Sequence, residues 1–464
     1  MLRFFRYNDP YRLLVVLLIL LIAGLTFYTF SQQLTSPELK SMVVGEALND
    51  GKAMYVEIVD HTAPIHAWFS EFTDTLFGRG LVGRHVVAIL LIFFSAAYFA
   101  ILLINNKAYN ENTYLPALVF AVLCCCSFDF FHLSAPLLAS ILLLFALNNI
   151  FREIEFRVQR DETLLNLGIY IGMASLLVFT YFIFLIGTIV LLAVYTRISL
   201  RKVFLILVGF LLPHACLIMY YWYGDHTLVF FERFYLANIM LSNHSLISWP
   251  SLGMLGLVPL VYFGFSLFMV NREARFTKYQ SQLLQVMFGW LIVALIEIAF
   301  TRERTPHSFI TIVPSLTYFI SHYLLLIRRK RIAEVALWLF VVGILVTGTL
   351  GKEGSIKAID YSKMRVARSP GSISEKRVMT LEDDLPLYVN NKMAGFFLNA
   401  ELSHSILTNP EYFENVVMIN NCFEKDAPEI IMDKNDWLKP FLNRLPKWKK
   451  EYVREGIYYK RIAK

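Results

Sequence analysis

The sequence is poor in charge. Lys, Arg, Asp and Glu make up only 17% of its 464 residues, where soluble globular chains carry about a quarter. Repeated apolar runs of roughly 17–25 residues, the length a helix needs to cross the hydrocarbon of a bilayer, stand where the charge is missing. That excludes an ordinary water-soluble enzyme. It also excludes a barrel, which would show alternating segments of about ten residues. Cysteine is scarce: Cys124, Cys125, Cys126, Cys216 and Cys422 are the only five. Three are adjacent within an apolar run and none has metal-ligand spacing, which excludes a disulfide framework and a structural zinc. There is no internal repeat and no low-complexity segment. The formal charge of +7 does not point to nucleic acid, because the basic residues stand in short clusters between apolar runs, as membrane topology requires.

What is present is a series of eleven apolar segments. They cover residues 13–30, 82–104, 114–127, 133–150, 203–223, 252–270, 283–300, 308–327 and 333–350, with two more in the uncharged stretch 164–195, split near Phe179, Thr180 and Tyr181. Arg3, Arg6 and Arg12 precede the first run, which is long and has no small-residue cleavage site, so it reads as an uncleaved first helix. Pro213 is expected to kink the seventh. With the N-terminus cytoplasmic, the inside loops carry 17 Lys and Arg and the rest of the chain before residue 351 carries seven, which orients the bundle. Residues 351–464 then lie outside. That tail is charged, with strand-like runs at 377–381, 416–420, 429–433 and 457–461 and helical ones at 388–402 and 437–442. The expected fold is an all-α polytopic membrane protein of about 11 transmembrane helices over residues 1–350, with an extracytoplasmic loop at 31–81. A small extracytoplasmic α/β domain follows at 351–464.

The chain is organised around the loop at 36–78, long for a bundle connection and therefore a candidate site. Ile65, Trp68, Phe69, Phe72, Leu76 and Phe77 recur at helical spacing with Glu71 and Asp74 between them, an amphipathic helix of the interfacial kind. Residues 39–48 form a second candidate helix. Both are equally consistent with a surface cap. Glu38 suits a general base that deprotonates an acceptor hydroxyl. It suits equally the first turn of a helix capped by Ser36, with Pro37 at its start. Asp60 and His61 in VDHTAP fit a metal, a proton relay, a phosphate or a plain turn ahead of the Pro64 helix. Asp129 and His132 in SFDFFH lie in a tight outside turn, where acids near the membrane are site candidates by default. Glu297 is an intramembrane acid with Arg302 and Arg304 near enough in sequence to neutralise it. Arg302, Arg304 and His307 are basic on the outside, against the topological trend. They suit a phosphate, which arginine grips through a planar fork, or headgroup anchoring.

In this order and sidedness, the segments resemble the C-type glycosyltransferases (GT-C), the fold of protein O-mannosyltransferases and aminoarabinose transferases. The family places an acidic motif after helix 1, matched by Glu38, then a motif ending D-H-x-P-P, matched by GKAMYVEIVDHTAP, then an amphipathic helix, matched by IHAWFSEFTDTLFG. NLGIYIGMASLLVFTYFIFL resembles its Gly-rich hairpin entry and HSFITIVPSLTYF its late outer-face helix. PELK and DHTAP are also similar to segments of a group of bacterial inner-membrane proteins. The chain departs from the pattern at Pro37–Glu38, at Ala63 in place of the first proline, and at Thr180–Tyr181 in place of a basic hairpin tip.

The resemblance implies inverting sugar transfer from a polyprenyl-phosphate donor to an acceptor lipid, glycan or protein on the periplasmic face of the bacterial inner membrane. Glu38 would be the base. Asp129, or Asp60 with His61, would position acceptor or metal. Arg302, Arg304 and His307 would hold the donor phosphate, His61 and His132 would also bind substrate, and one hydrophilic pocket open toward the non-cytosolic leaflet would gather the early acids and these arginines. No cofactor is required, and a divalent cation is compatible with these acids. The departures keep two rivals in play: a catalytically inactive GT-C-like scaffold subunit of an envelope complex, and a transporter of a lipid-linked intermediate.

Overall fold

The computed structural model describes residues 1–7, 9–29, 34–155, 161–196, 198–273, 276–366 and 373–462. The start of the long loop and the basic residues Arg157, Arg160, Arg197 and Arg275 lie outside them. Each of the eleven expected segments falls on helix. Among the described residues, seven helices are long and apolar enough to cross a membrane: Pro10–Tyr28, Leu81–Asn105, Ala135–Ile154, Phe179–Thr196, Leu200–Tyr223, Lys278–Phe300 and Lys330–Lys352. The pair Trp249–Leu255 and Leu257–Arg272, bent by 61°, is long and apolar enough only when taken together. The remaining three, Leu115–Cys124, Asp161–Ser175 and Val313–Leu326, have 10, 15 and 14 residues, fewer than the roughly 20 a straight span needs. The chain is a multi-pass membrane protein.

Two compact units emerge. The first comprises Met1–Gln32, Leu81–Cys216 and Asn243–Met364, the bulk of the bundle. Without a hydrophobic drive between helices in lipid, close backbone approach does the packing. Gly168 and Gly209 supply it where Asp161–Ser175 crosses Leu200–Tyr223: a Cβ on Gly168 would fall 2.1 Å from the Ile206 carbonyl oxygen, and one on Gly209 would fall 2.2 Å from that of Leu165. The Leu200–Tyr223 helix runs on through Pro213. Buried Glu153 is compensated by Lys202 at 2.5 Å, as a buried carboxylate requires.

The second unit comprises Gln33–Gly80, Leu217–Ser242 and Arg365–Lys464, so the long loop folds with the tail. Its five-stranded sheet has the order β2-β1-β3-β5-β4, with β1 at Arg377–Thr380, β2 at Lys392–Met393, β3 at Ile430–Met432, β4 at Tyr452–Glu455 and β5 at Tyr458–Arg461. β1 is parallel to both β2 and β3; β5 is antiparallel to β3 and β4. Gly456, at φ +66°, makes the β4–β5 turn, where a positive φ favours glycine.

Two expectations for the tail are corrected. Residues 416–420 are helix, within Phe413–Asp426, because Val416, Ile419, Cys422 and Phe423 share one buried face at helical spacing. Residues 388–402 are not one helix; they hold the end of a 3-10 turn, β2 and only the start of Ala400–Leu407.

The loop joins this core through its main chain. Val59 N–H donates to the Phe396 carbonyl at 2.8 Å and Asn399 N–H to that of Val59 at 3.0 Å, and Val59 is buried with Met379, Phe397 and Ile419. Lys52 Nζ reaches Asp426 Oδ2 at 2.7 Å and the Gly395 carbonyl at 2.9 Å. Arg79 donates to Glu46 at 2.7 Å and to the carbonyls of Tyr388, Val389 and Asn391. The loop's two helices, Ser36–Asn49 and Pro64–Phe77, meet where Gly45 lies against the Ser70 carbonyl, only 2.3 Å from where a Cβ would stand. Pro64–Phe77 buries its small residues Ala67, Ser70 and Thr73 and leaves Trp68, Phe72 and Leu76 exposed, as an amphipathic helix does.

Candidate functional site

In the bundle unit the candidate residues gather at two 3-10 turns, Phe128–Phe131 and Pro306–Thr311. Ser127 caps the first, accepting from Asp129 N–H at 3.4 Å. Thr305 and Ser308 form a reciprocal capping box at the second. Asp129 Oδ2 accepts from the main-chain N–H of His307 at 2.9 Å, and His307 Nδ1 lies 3.1 Å from the Asp129 carbonyl oxygen. A carbonyl only accepts, so Nδ1 carries the proton. Ser134 Oγ sits at the ring edge between the two nitrogens, 3.2 Å from Nδ1 and 3.3 Å from Nε2, and the unprotonated Nε2 is the one that can accept from it.

Burial holds the His307 imidazole below its ordinary pKa. The Asp129 charge opposes that shift and His132 adds to it. His132 Nδ1 stands 3.9 Å from Asp129 Oδ1, and its ring stacks on that of His85, centroids 4.9 Å apart and planes within 6°.

Arg304 takes a different course. Its guanidinium lies 3.8 Å over the Trp249 ring, and Nε donates to the Ile298 carbonyl at 3.3 Å. Arg302 is half-buried on the same turn. Lys352 Nζ donates to the Phe27 carbonyl and lies 5.8 Å from the Phe128 ring centre. Glu297 is not neutralised by either arginine. Its Oε1 accepts from the Thr180 hydroxyl at 2.7 Å and the Thr301 hydroxyl at 2.6 Å, and it has no ion pair among the described residues. Thr180, noted as a departure at the hairpin tip, is thus a partner of the intramembrane acid.

In the second unit Asp60 is fully buried. It pairs with Lys40 at 3.1 Å and accepts from Thr62 N–H at 3.1 Å and from the Thr62 hydroxyl. His61 Nδ1 lies 3.5 Å from Asp60 Oδ1 and 3.1 Å from Asn399 Nδ2. Asn399 Oδ1 already caps the helix Ala400–Leu407 by accepting from Leu402 N–H at 2.9 Å. Its amide nitrogen therefore faces His61 and donates to it, which assigns the His61 proton to Nε2. Asn238 Nδ2 donates to the His61 carbonyl at 3.1 Å. Glu38 is 5% exposed in the first turn of Ser36–Asn49. Thr35, not Ser36, is the N-cap residue, and its side chain makes no capping bond.

Sequence reasoning missed Ser134, His85, Trp249 and Lys352 in the first unit and Lys40, Asn238 and Asn399 in the second. Lys40 had a signal, since a lone cation beside an acidic loop requires a partner. Trp249 had a weaker one as an aromatic at the helix start WPS. The others are ordinary polar residues whose roles come only from packing.

This architecture is the GT-C fold. ArnT from Cupriavidus metallidurans bound to undecaprenyl phosphate superposes with a TM-score of 0.57 at 12% identity, covering 97% of this chain and 98% of that one. Its apo state gives the same values. The Archaeoglobus fulgidus oligosaccharyltransferase, tethered to an acceptor peptide containing the NVT sequon, gives a TM-score of 0.50 at 11% identity over 98% of this chain and 74% of that one. No protein-family model matches the sequence and no curated protein matches it.

Proposed function

We propose that the chain transfers a sugar from a polyprenyl-phosphate donor to an acceptor lipid, glycan or protein on the periplasmic face of a bacterial inner membrane. The observation that carries the proposal is the full-length fold likeness to a transferase whose structure holds undecaprenyl phosphate. In this reading residues 1–350 are the transmembrane domain and residues 351–464 the periplasmic one. The 17-to-7 bias of basic residues supports that orientation.

In the reaction, the Glu38 carboxylate takes the proton of the acceptor hydroxyl. The acceptor oxygen attacks the anomeric carbon, the bond from that carbon to the phosphate oxygen breaks with inversion, and polyprenyl phosphate leaves. Arg302 and Arg304 hold the phosphate and stabilise the charge that grows on it, where fixed positive charge is worth most. His307 and His132 brace Asp129, which positions a reacting group. Asp60, paired with Lys40, and His61 orient the acceptor-side loop. These roles rest on residue chemistry within each unit.

The donor class is tested by binding. The purified full-length chain in nanodiscs is titrated with undecaprenyl phosphate and followed by native mass spectrometry. The proposal expects a one-to-one complex, weakened in Arg304→Ala. An unaltered spectrum at saturating lipid contradicts it.

A further inference from the structure

A second cavity lies wholly inside the unit built from the loop and the tail. It is a cleft of about 380 Å³ whose lining includes Lys52, Trp68, Glu71, Tyr220, Tyr221 and His226. None of these belongs to the acid and arginine turns described above. We infer that this cleft is a saccharide-binding site that takes one or two pyranose rings of the acceptor glycan.

Three observations carry the inference. First, aromatic surface is presented on a fixed frame. The Trp68 and Tyr220 rings stand edge-to-face with centroids 5.5 Å apart, and Tyr220 in turn meets Tyr221 at 5.2 Å. Tyr221 is buried and stacked on Phe230 at 4.2 Å, so it anchors the corner, while Trp68 and Tyr220 keep open ring surface. A flat π-face suits the C–H face of a pyranose as it suits any rigid apolar plate.

Second, the polar groups at the rim are of the kind that pair with hydroxyls. Glu71 accepts, His226 does both, and the tyrosine hydroxyls do both. The one cation, Lys52, is already bound to Asp426 and to the carbonyls of Met393 and Gly395. The cleft is therefore not an anion site. Pockets that fix a neutral ligand combine apolar walls with a few placed polar groups in this way.

Third, the wall is pre-built. Gly51 sits at φ +87° and Tyr55 at φ +68°. Tyr55 is fully buried, its hydroxyl donating to the Thr62 carbonyl at 2.6 Å and its carbonyl accepting from Arg233. A non-glycine residue held at positive φ costs energy and persists only where the surroundings dictate it. Here the surroundings fix Tyr55 behind residues 51–54, which line one side of the cleft, and this lowers the ordering cost of binding.

The inference rests on the transfer reading only in calling the saccharide an acceptor; binding itself needs no donor. The test is saturation-transfer difference NMR on the full-length protein in nanodiscs, with maltose, lactose and chitobiose as probes and phosphoethanolamine as the headgroup control. We expect saturation on ring C–H protons of at least one disaccharide. Affinity for it should fall at least tenfold in Trp68→Ala and in Tyr220→Ala, and should be retained within about threefold in Trp68→Phe, which keeps an aromatic face. Trp68→Phe also controls for folding. Saturation of none of the three sugars overturns the inference. So does equal binding in Trp68→Ala, or Trp68-dependent binding of phosphoethanolamine alone. Sugar binding without any donor turnover would leave the cleft standing and remove the transfer reading; turnover without sugar binding would do the reverse.

Discussion

The main-chain N–H of His307 donates to Asp129 Oδ2 at 2.9 Å while the His307 ring turns its Nδ1 to the Asp129 carbonyl at 3.1 Å. One residue thus holds both the side chain and the backbone of the other. The imidazole is buried, and burial keeps it neutral to lower pH than a free histidine. The sign of the linkage follows. Below the unfolded pKa of about 6.5 the unfolded chain takes up a proton that the folded chain refuses, so stability falls as pH drops toward the folded pKa. Within that window the slope from this single group approaches about 1.4 kcal/mol per pH unit. Thermal denaturation in detergent between pH 7 and 5 should show the decline, and His307→Gln should flatten it. An equal slope in the variant would remove His307 as its source.

Gly45 is required by the contact between the two loop helices. A Cβ there meets the Ser70 carbonyl oxygen at 2.3 Å and its carbon at 2.7 Å. Both are backbone atoms and move only with their helix. Gly45→Ala should cost about 1–3 kcal/mol and speed limited proteolysis within residues 34–80. Unchanged cleavage and an unchanged melting temperature would contradict this packing.

Buried Lys52 and Asp426, with the exposed Arg377 as a second partner of the acid, predict an order of severity. Asp426 takes Lys52 at 2.7 Å and Arg377 at 2.5 Å. Removing the acid leaves Lys52 buried without its countercharge, at a cost of roughly 3–5 kcal/mol. Removing the lysine leaves Asp426 still paired with Arg377. Asp426→Ala should therefore lower the melting temperature more than Lys52→Met, and the reverse order would contradict the assignment.

Arg304 is held by a ring face, 3.8 Å above Trp249. Lysine lacks the planar group that stacks and forks on phosphate. Arg304→Lys should weaken undecaprenyl phosphate binding by roughly 0.5–2 kcal/mol, about 2- to 30-fold, measured by native mass spectrometry titration. Equal affinity would place the arginine outside the donor site.

Much of the bundle was legible because its signals are long. Each apolar run declares a helix, and basic clusters mark the turns between them. Asp129, His132 and His307 were legible as polar residues in turns between apolar runs, and the structure brings those three together. The attachment of the loop to the tail was not legible. Its ties run through main-chain groups of Val59, Phe396 and Asn399, and these leave no mark on side-chain pattern. Residues 416–420 misled because Val416, Val417 and Ile419 are β-branched, a strand preference that packing on one helical face overrides. The Glu297 environment misled for another reason: neighbouring arginines suggested charge pairing, whereas hydroxyls of Thr180 and Thr301 supply the partners.

The central claim is sugar transfer with Glu38 as base. Its most direct test is donor turnover in proteoliposomes that carry the full-length chain, a radiolabelled undecaprenyl-phosphate sugar and a heat-treated envelope extract as acceptor source. The account predicts that the wild type releases undecaprenyl phosphate and passes label to the extract. It also predicts that Glu38→Gln, folded by gel filtration, falls by at least about 10²-fold. No release by the wild type, or full release by Glu38→Gln, would contradict it.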